Sequence, residues 1–155
     1  MPLNSIKTLA PAQKIAVSLL WNQEYPAQVI LEKMIDLDQY LAGLTDVIHF
    51  LYTTDHGEIL GWAFKFKRNG EMWFAVILDS SIHHLGIGTL LLNTLKEGEE
   101  TLNGWVIDHE RYKKSNGKTY HSPLPFYLKN GFLTCTEIRM EFPHLSAVKI
   151  TWKNS

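Results

Sequence analysis

The spacing of apolar residues along the chain predicts four helical segments. Apolar side chains recur every three or four positions over residues 11–21 and again over residues 30–41, a period typical of amphipathic helices. The same spacing returns over residues 87–102, beside lysines and glutamates that mark a solvated face. A shorter helix is expected over residues 123–130, and Pro11 suits the first turn of the first helix.

The remaining apolar segments are rich in β-branched and aromatic residues and predict strands. Between two of them, Asn69 and Gly70 favour a two-residue hairpin turn, because both residues tolerate positive φ. The segment after this turn is apolar at nearly every position, which is typical of a central strand covered on both faces. The sequence therefore predicts a mixed α/β fold with helices on both faces of a sheet. The strands are expected at residues 5–9, 46–53, 59–67, 71–79, 105–107, 132–142 and 147–152.

Composition narrows the class of protein. The chain has 155 residues, of which 45% are apolar and 20% charged, and it shows no linker or repeat, so we expect one domain over residues 1–155. The net charge of −1 offers no overall field for nucleic acid or an anionic membrane. A single cysteine, Cys135, excludes an internal disulfide, and no signal or membrane-spanning segment is visible. These features predict a soluble cytoplasmic protein.

One segment combines a buried strand with a pair of glycines. Residues 78–89 lead from the predicted central strand through a short loop into a helix that opens with Gly86 and Gly88. The unpaired amides and partial positive charge of a helix start can bind a phosphate. The dinucleotide fingerprint does not fit, because Leu91 stands where its third glycine belongs, and the P-loop lysine is missing. From these residues alone, a tightly packed strand-to-helix turn explains the glycines equally well.

Two motifs resemble those of the GNAT (GCN5-related) N-acetyltransferase family. The family's acetyl-CoA motif, Arg/Gln-x-x-Gly-x-Gly/Ala, is matched here by His83-His84-Leu85-Gly86-Ile87-Gly88. The family's run around a helical tyrosine is matched by Phe126-Tyr127-Leu128-Lys129-Asn130-Gly131-Phe132. The order of predicted elements also resembles that of the family over nearly the whole chain. The resemblance implies the GNAT fold, a mostly antiparallel sheet of about seven strands in which two central strands splay apart.

The resemblance also implies a cofactor and roles for individual residues. Acetyl-CoA would be the co-substrate, with its pantetheine arm along the backbone of Ile77 and Leu78. Tyr127 would lie near the thioester sulfur and protonate the departing thiolate, although an interior aromatic that packs on its neighbours remains the alternative. The pyrophosphate would lie on amides of the segment before and within the helix start, namely His83, His84, Leu85, Gly86, Ile87, Gly88 and Thr89.

The proton acceptor and the acceptor pocket are less closely defined. Asp108 and His109 follow a short buried strand, where a base for the attacking amine is expected, although each could equally be a loop cap or a solvated side chain. His83 stands where the family usually has arginine or glutamine, which makes one contact to phosphate weaker or pH-dependent. Glu24 and Tyr25 could line the acceptor pocket or belong to a solvated connection.

A polar insert at residues 109–121 carries a local positive charge, which could attract an anionic group or remain solvated. The residues Asn116 and Gly117 favour a small hairpin within it. The long C-terminal strands leave a sheet edge that could pair with a second copy of the chain as a homodimer.

The sequence therefore predicts an acetyl-CoA-dependent N-acetyltransferase that acts on an amine of a small molecule or peptide and uses no metal ion. Two alternatives stay open. The chain could be a regulatory module of the same fold that binds CoA without turnover. It could also be an unrelated α/β protein with a chance pair of glycines.

Overall fold

A seven-stranded sheet runs through the molecule, with helices on both of its faces. The computed structural model describes residues 3–155. The helices are α1 (Pro11–Glu24), α2 (Met34–Ala42), α3 (Ile87–Lys96) and α4 (Leu124–Lys129). The strands are β1 (Leu3–Ile6), β2 (Thr45–Thr53), β3 (Ile59–Arg68), β4 (Glu71–Leu78), β5 (Thr101–Val106), β6 (Leu133–Phe142) and β7 (Leu145–Lys153). Over the described part of the chain, the helices are too short or too polar to cross a membrane.

The sheet is antiparallel except at its centre. Its strand order is β1-β2-β3-β4-β5-β7-β6, and only the pair of β4 and β5 runs parallel among the described residues. The predicted turn at Asn69 and Gly70 joins β3 to β4, with φ of 52° and 77°. The predicted mixed α/β fold, with a mostly antiparallel sheet and helices on both faces, is confirmed.

Several predicted boundaries shift. β1 lies earlier than expected, at Leu3–Ile6, and α2 begins later, at Met34. The third helix does not reach Leu102, which lies in β5. Gly98, with φ of 76°, lies between the two elements, and Leu102 joins the same apolar cluster as α3 from the strand side. This shared cluster explains why Leu102 imitates the helical spacing.

Two apolar clusters, one on each face of the sheet, hold the layers together. The cluster beneath α1 and α2 contains Trp62, and the cluster beneath α3 and α4 contains Leu91. β4 contributes to both, with Trp73 and Ile77 on the first face and Phe74 on the second. Each fully buried side chain of this size stabilises the fold by roughly 1.5–3 kcal/mol. β4 is therefore the central, doubly covered strand that the sequence predicts.

A buried histidine makes the stability of this core depend on pH. His49 on β2 is 1% exposed, and the indole N–H of Trp62 donates to its Nδ1 at 3.0 Å. Burial lowers the pKa of His49 from 6.5 to about 4. Between these two values the unfolded chain binds more protons than the folded protein, so the free energy of unfolding decreases as the pH falls through this range.

We expect the variant His49→Gln to be less sensitive to acid, because it keeps an acceptor for the Trp62 indole and removes the ionisable group. Its unfolding free energy, measured by urea denaturation, should fall less than that of the wild type between about pH 7 and pH 4.5. His56→Gln is the control, since His56 is exposed on the β2–β3 turn. Equal pH dependence of H49Q and the wild type would contradict this explanation.

Candidate functional site

The two central parallel strands separate soon after they meet. Among the described residues, β4 and β5 share one register pair, Trp73 with Asn103. β4 continues from there to Leu78 and β5 continues to Val106, and each stays paired with its outer neighbour. The facing backbone edges of the two strands are thus left free, and an extended ligand could pair with them. This is the splayed central pair that the sequence resemblance predicts.

Side chains at the closed end of the gap explain why it opens. The Asn103 amide donates to the Met72 carbonyl at 3.1 Å and ties the strands together there. The rings of Trp73 and Trp105 then pack across the opening, with centroids 5.4 Å apart. A glycine at position 104 makes room for Phe74, because a Cβ atom there would lie 2.7 Å from Phe74 Cε1. Sequence reasoning missed this packing, although a glycine inside a strand is a signal for it.

The start of α3 presents unpaired amides next to the end of β4. The helix begins after Gly86, with φ of 82° and no side-chain cap, and His84 before it has φ of 66°. The first helical hydrogen bond runs from the Leu90 amide to the Gly86 carbonyl, at 3.1 Å. The amides of residues 87–89 therefore have no acceptor within the helix, and the helix dipole adds partial positive charge to them. An anion such as a diphosphate fits this arrangement.

The two glycines of the motif serve different purposes. Apart from its chain neighbours, no atom of the described residues lies within 4 Å of where a Cβ of Gly86 would be, so this position faces open space. A Cβ at Gly88 would lie 3.0 Å from Phe126 Cζ and 3.2 Å from Leu78 Cδ1. Gly88 is thus required by the packing of α3 against α4 and β4, whereas Gly86 is required by its backbone conformation.

His83 lies at the predicted phosphate cradle, which is the set of backbone amides of residues 83–89, but its side chain contacts the end of β4 instead. Its Nε2 lies 3.0 Å from the carbonyl oxygen of Leu78, which accepts the imidazole N–H. Asp79, between the two, accepts the Ser81 amide at 2.9 Å. The imidazole therefore fixes the loop to the end of β4, and it occupies a carbonyl that the resemblance assigns to the pantetheine arm.

Tyr127 lies on α4 against the face of β4. It is 6% exposed, and its ring packs on Phe74, Phe126 and Phe132 with centroid distances of 5.6, 5.1 and 5.5 Å. Burial raises the pKa of the Tyr127 phenol, and the nearby phenol of Tyr120 raises it further. The hydroxyl therefore keeps its proton and can act as a hydrogen-bond donor, while the ring belongs to the core. This position fits both interpretations of Tyr127, as a donor to the leaving thiolate and as an interior aromatic residue.

The carboxylate of Asp108 is held by an arginine. Arg139 donates to it with both terminal nitrogens, at 2.8 and 3.1 Å. The hydrogen bond and charge of Arg139 lower the pKa of Asp108. A carboxylate in such a pair is a weak proton acceptor.

His109 packs edge-on against Tyr112 with ring centroids 4.5 Å apart. Its Nδ1 accepts the Arg111 amide at 3.2 Å, so a neutral ring carries its proton on Nε2. That Nε2 is buried without a partner among residues 3–155. In this arrangement His109 offers a donor rather than a base toward its surroundings.

Glu24 is buried, which the sequence did not indicate. It is 7% exposed and accepts from the Ser80 amide and hydroxyl, each at 2.8 Å, and from Lys114 Nζ at 3.3 Å. Gln23 donates to it as well, at 2.6 Å. Burial raises the pKa of Glu24, but these hydrogen bonds and the Lys114 charge outweigh it and lower the pKa. The interpretation of a solvated connection is therefore wrong for Glu24.

The polar insert forms the small hairpin that its turn residues predict. Lys113 and Thr119 form an antiparallel bridge, the Tyr120 amide donates to the Tyr112 carbonyl at 2.9 Å, and Gly117 has φ of 84°. Most of its cationic side chains are exposed, so its positive charge is largely solvated. Within the described range of the chain, no group of three or more His, Cys, Asp or Glu residues could hold a metal ion.

Solved structures of acetyltransferases superimpose on this chain over nearly its whole length. An aminoglycoside 6'-N-acetyltransferase complexed with coenzyme A has a TM-score of 0.73 at 15% identity, with 99% of this chain and 97% of that chain covered. The aminoglycoside 6'-N-acetyltransferase from Enterococcus faecium has a TM-score of 0.68 at 16% identity, with 99% and 97% covered. A GNAT superfamily phosphinothricin acetyltransferase from Sinorhizobium meliloti, in complex with AcCoA, has a TM-score of 0.67 at 12% identity, with 99% and 89% covered.

These superpositions establish that the chain has the GNAT fold, and the resemblance seen in the two motifs is confirmed at the level of the fold. The sequence matches no protein-family model and no curated protein.

We expect the Asp108 carboxyl to titrate below its ordinary value of 3.8 in the wild type, because Arg139 stabilises its charged form. In Arg139→Met the titration midpoint, followed by NMR of the carboxyl carbon, should rise toward that value. Arg68→Met is the matched control, since Arg68 is exposed and lies over the ring of Phe66. An unchanged midpoint in R139M would show that the ion pair does not set the basicity of Asp108.

Proposed function

We propose that this protein is an acetyl-CoA-dependent N-acetyltransferase that moves the acetyl group directly to a primary amine of a small molecule or peptide. The observation that carries the proposal is the gap between β4 and β5, which borders the uncapped start of α3 and the buried phenol of Tyr127. Two structures of the same fold were solved with CoA or acetyl-CoA bound. At 15% and 12% sequence identity these structures support the fold, and the acetyltransferase activity is inferred here from the geometry of the gap.

The residues around the gap fit an acyl-CoA molecule. The edge of β4 at Ile77 and Leu78 offers backbone groups to the amides of a pantetheine arm, and the Leu78 carbonyl, which already accepts the His83 imidazole, has a second lone pair. The amides from His83 to Thr89 would hold the pyrophosphate, and Gly86 faces open space on that side. His83 would contribute through its backbone, while its imidazole keeps the loop against Leu78.

The proposed reaction needs a hydrogen-bond donor where the thiolate leaves. Acetyl-CoA supplies a thioester, whose carbonyl carbon is attacked by the amine while the carbon–sulfur bond breaks. Burial raises the pKa of the Tyr127 phenol, so the hydroxyl keeps its proton and can donate a hydrogen bond to the sulfur as negative charge develops, while full transfer of the proton to the thiolate becomes less favourable. Cys135, the one cysteine, lies on β6 at the far edge of the sheet, which supports direct transfer over transfer through a cysteine.

Asp108 and His109 remain the proposed proton acceptors by position, because both follow β5 beside the open end of the gap. Each side chain already has a partner, since Arg139 binds Asp108 and lowers its pKa, and His109 Nδ1 accepts the Arg111 amide. A water between the amine and either side chain would relay the proton.

The same two contacts favour a second candidate function, a module that binds CoA and has no turnover. A strong base is not needed for binding, and the cradle does not depend on Asp108 or His109. Thermal melting with acetyl-CoA, CoA and NAD, followed by transfer assays on a panel of amines, separates the candidates. Either CoA species at about 100 times its dissociation constant should stabilise the fold by roughly 2.7 kcal/mol, and NAD should not. Melting unchanged by both CoA species would refute both candidates, and binding without transfer would support the module.

A glycine substitution tests the cradle. Gly86→Ala forces a Cβ into a positive-φ position and should destabilise the protein by about 1 kcal/mol. Gly70→Ala is the matched control, because Gly70 has φ of 77° and equally open surroundings but lies in the β3–β4 turn. Both variants should melt at similarly lower temperatures, and only G86A should lose most of the CoA-induced rise in Tm. The same CoA response in both variants would exclude residues 83–89 as the phosphate cradle.

Removal of one hydroxyl tests the phenol. Tyr127→Phe keeps the aromatic packing, so we expect CoA binding within a factor of about two and a turnover slower by about 10²-fold. Tyr40 on α2 provides the control, because its ring packs on Trp21 and Phe64 in the cluster on the opposite face of the sheet from α4. Steady-state assays that give Y127F the turnover of Y40F would leave Tyr127 with a structural role only.

A further inference from the structure

The hairpin of residues 112–120 crosses the open end of the gap. On one side, Lys114 Nζ lies 3.3 Å from the hydroxyl of Ser80, directly beyond β4. On the other side, the Tyr112 hydroxyl accepts the amide of Ser146, at the start of β7, at 2.8 Å. β7 pairs with β5 up to Val106. The hairpin therefore reaches from the end of β4 to the strand next to β5.

The hairpin is also attached to the helical layer on the α1 face. The Ala27 amide donates to the Lys113 carbonyl at 2.8 Å, and Pro26 forms a bridge with Lys114. The Ser115 hydroxyl donates to the Asn22 carbonyl at 3.3 Å. These contacts place the hairpin over the connection between α1 and α2, on the face of the sheet opposite α3 and α4.

Lys114 differs from the other cations of the insert. Its side chain is 14% exposed and pairs with Glu24, which is 6% exposed, whereas the side chains of Lys113 and Lys118 lie on the surface. A buried carboxylate of this kind is costly unless it is both paired and hydrogen-bonded. Glu24 meets that requirement only with the hairpin in place, because Lys114 supplies its positive charge.

We propose that the hairpin of residues 112–120 is a fixed wall of the acceptor pocket and that the Glu24–Lys114 pair holds it there, so that this pair positions the acceptor amine. The inference rests on the proposed function, because an acceptor must enter at the open end of the gap to reach a thioester lying between β4 and β5. Glu24 binds Ser80 as well, so the pair joins the wall to the loop that leads into the cradle. A displacement of the wall therefore changes the affinity for the acceptor more than it changes the affinity for the cofactor.

Lys114→Met tests the pair, because it removes the charge and keeps most of the side-chain length. We expect the acceptor KM to rise about tenfold, while kcat and CoA affinity change by less than about twofold. Lys118→Met is the matched control, with a lysine lost from the exposed part of the same hairpin. Lys114→Arg keeps the charge and should restore most of the acceptor KM. Equal acceptor KM values for K114M and K118M would overturn the proposal.

Hydrogen exchange on the protein without ligand separates a failure of the wall from a failure of the proposed function. K114M should speed exchange at the amides of Gly117 and Tyr120, and K118M should not. Unchanged exchange in K114M would overturn the proposal, whatever the activity. Faster exchange in a protein whose wild type transfers no acetyl group would refute the acetyltransferase function, and with it the acceptor role of the wall.

Discussion

The incomplete pairing of β4 and β5 determines how this molecule can work. Parallel strands normally bond at even intervals along their length, but here the bonds stop after Trp73 and Asn103. The Asn103 side chain fastens the closed end, and large rings packed on both faces beyond it keep the strands apart. Free backbone groups inside a sheet must bind water or a ligand. The core packing therefore leaves a slot between the two strands that an extended, amide-bearing molecule could enter.

The buried carboxylate of Glu24 connects the loop after β4 with the polar insert. Burying a charge costs several kcal/mol unless hydrogen bonds and a counter-charge replace water, and Glu24 obtains them from Ser80 beyond β4 and from Lys114 in the insert. The loop that leads into the proposed cradle and the hairpin over the open end of the gap thus share one anchor. Ser80 keeps its own bonds to Glu24 when the Lys114 charge is removed, so such a loss loosens the hairpin more than the loop.

Local patterns in the sequence were sufficient to predict most strands of the sheet and the turn at Asn69 and Gly70. The strands follow from the spacing and type of apolar residues, and the turn follows from residues that tolerate positive φ. The two motifs were sufficient for the fold. Long-range pairs left no such signal: Glu24 is 90 residues from Lys114, and Asp108 is 31 residues from Arg139. In the sequence, Glu24 and Asp108 cannot be told apart from ordinary surface carboxylates, and only the fold shows that each is paired with a cation. Leu102 was misplaced for the opposite reason, because a strand residue that packs into the same apolar cluster as a helix can fall at the spacing of that helix.

The paired carboxylates also constrain the proton chemistry of the proposed reaction. An alkylamine with a pKa near 10.4 arrives almost wholly protonated at neutral pH, and an attack on a thioester requires the free base. Asp108 and Glu24 each have a lowered pKa because of their hydrogen bonds and neighbouring cations, and the His109 ring uses Nδ1 to accept a backbone amide. The two carboxylates therefore do not readily take a proton from an alkylammonium. The proposed transfer therefore favours an amine with a larger neutral fraction, such as an α-amino group with a pKa of about 8, of which roughly a tenth is free base at pH 7 against roughly 0.04% of the alkylamine.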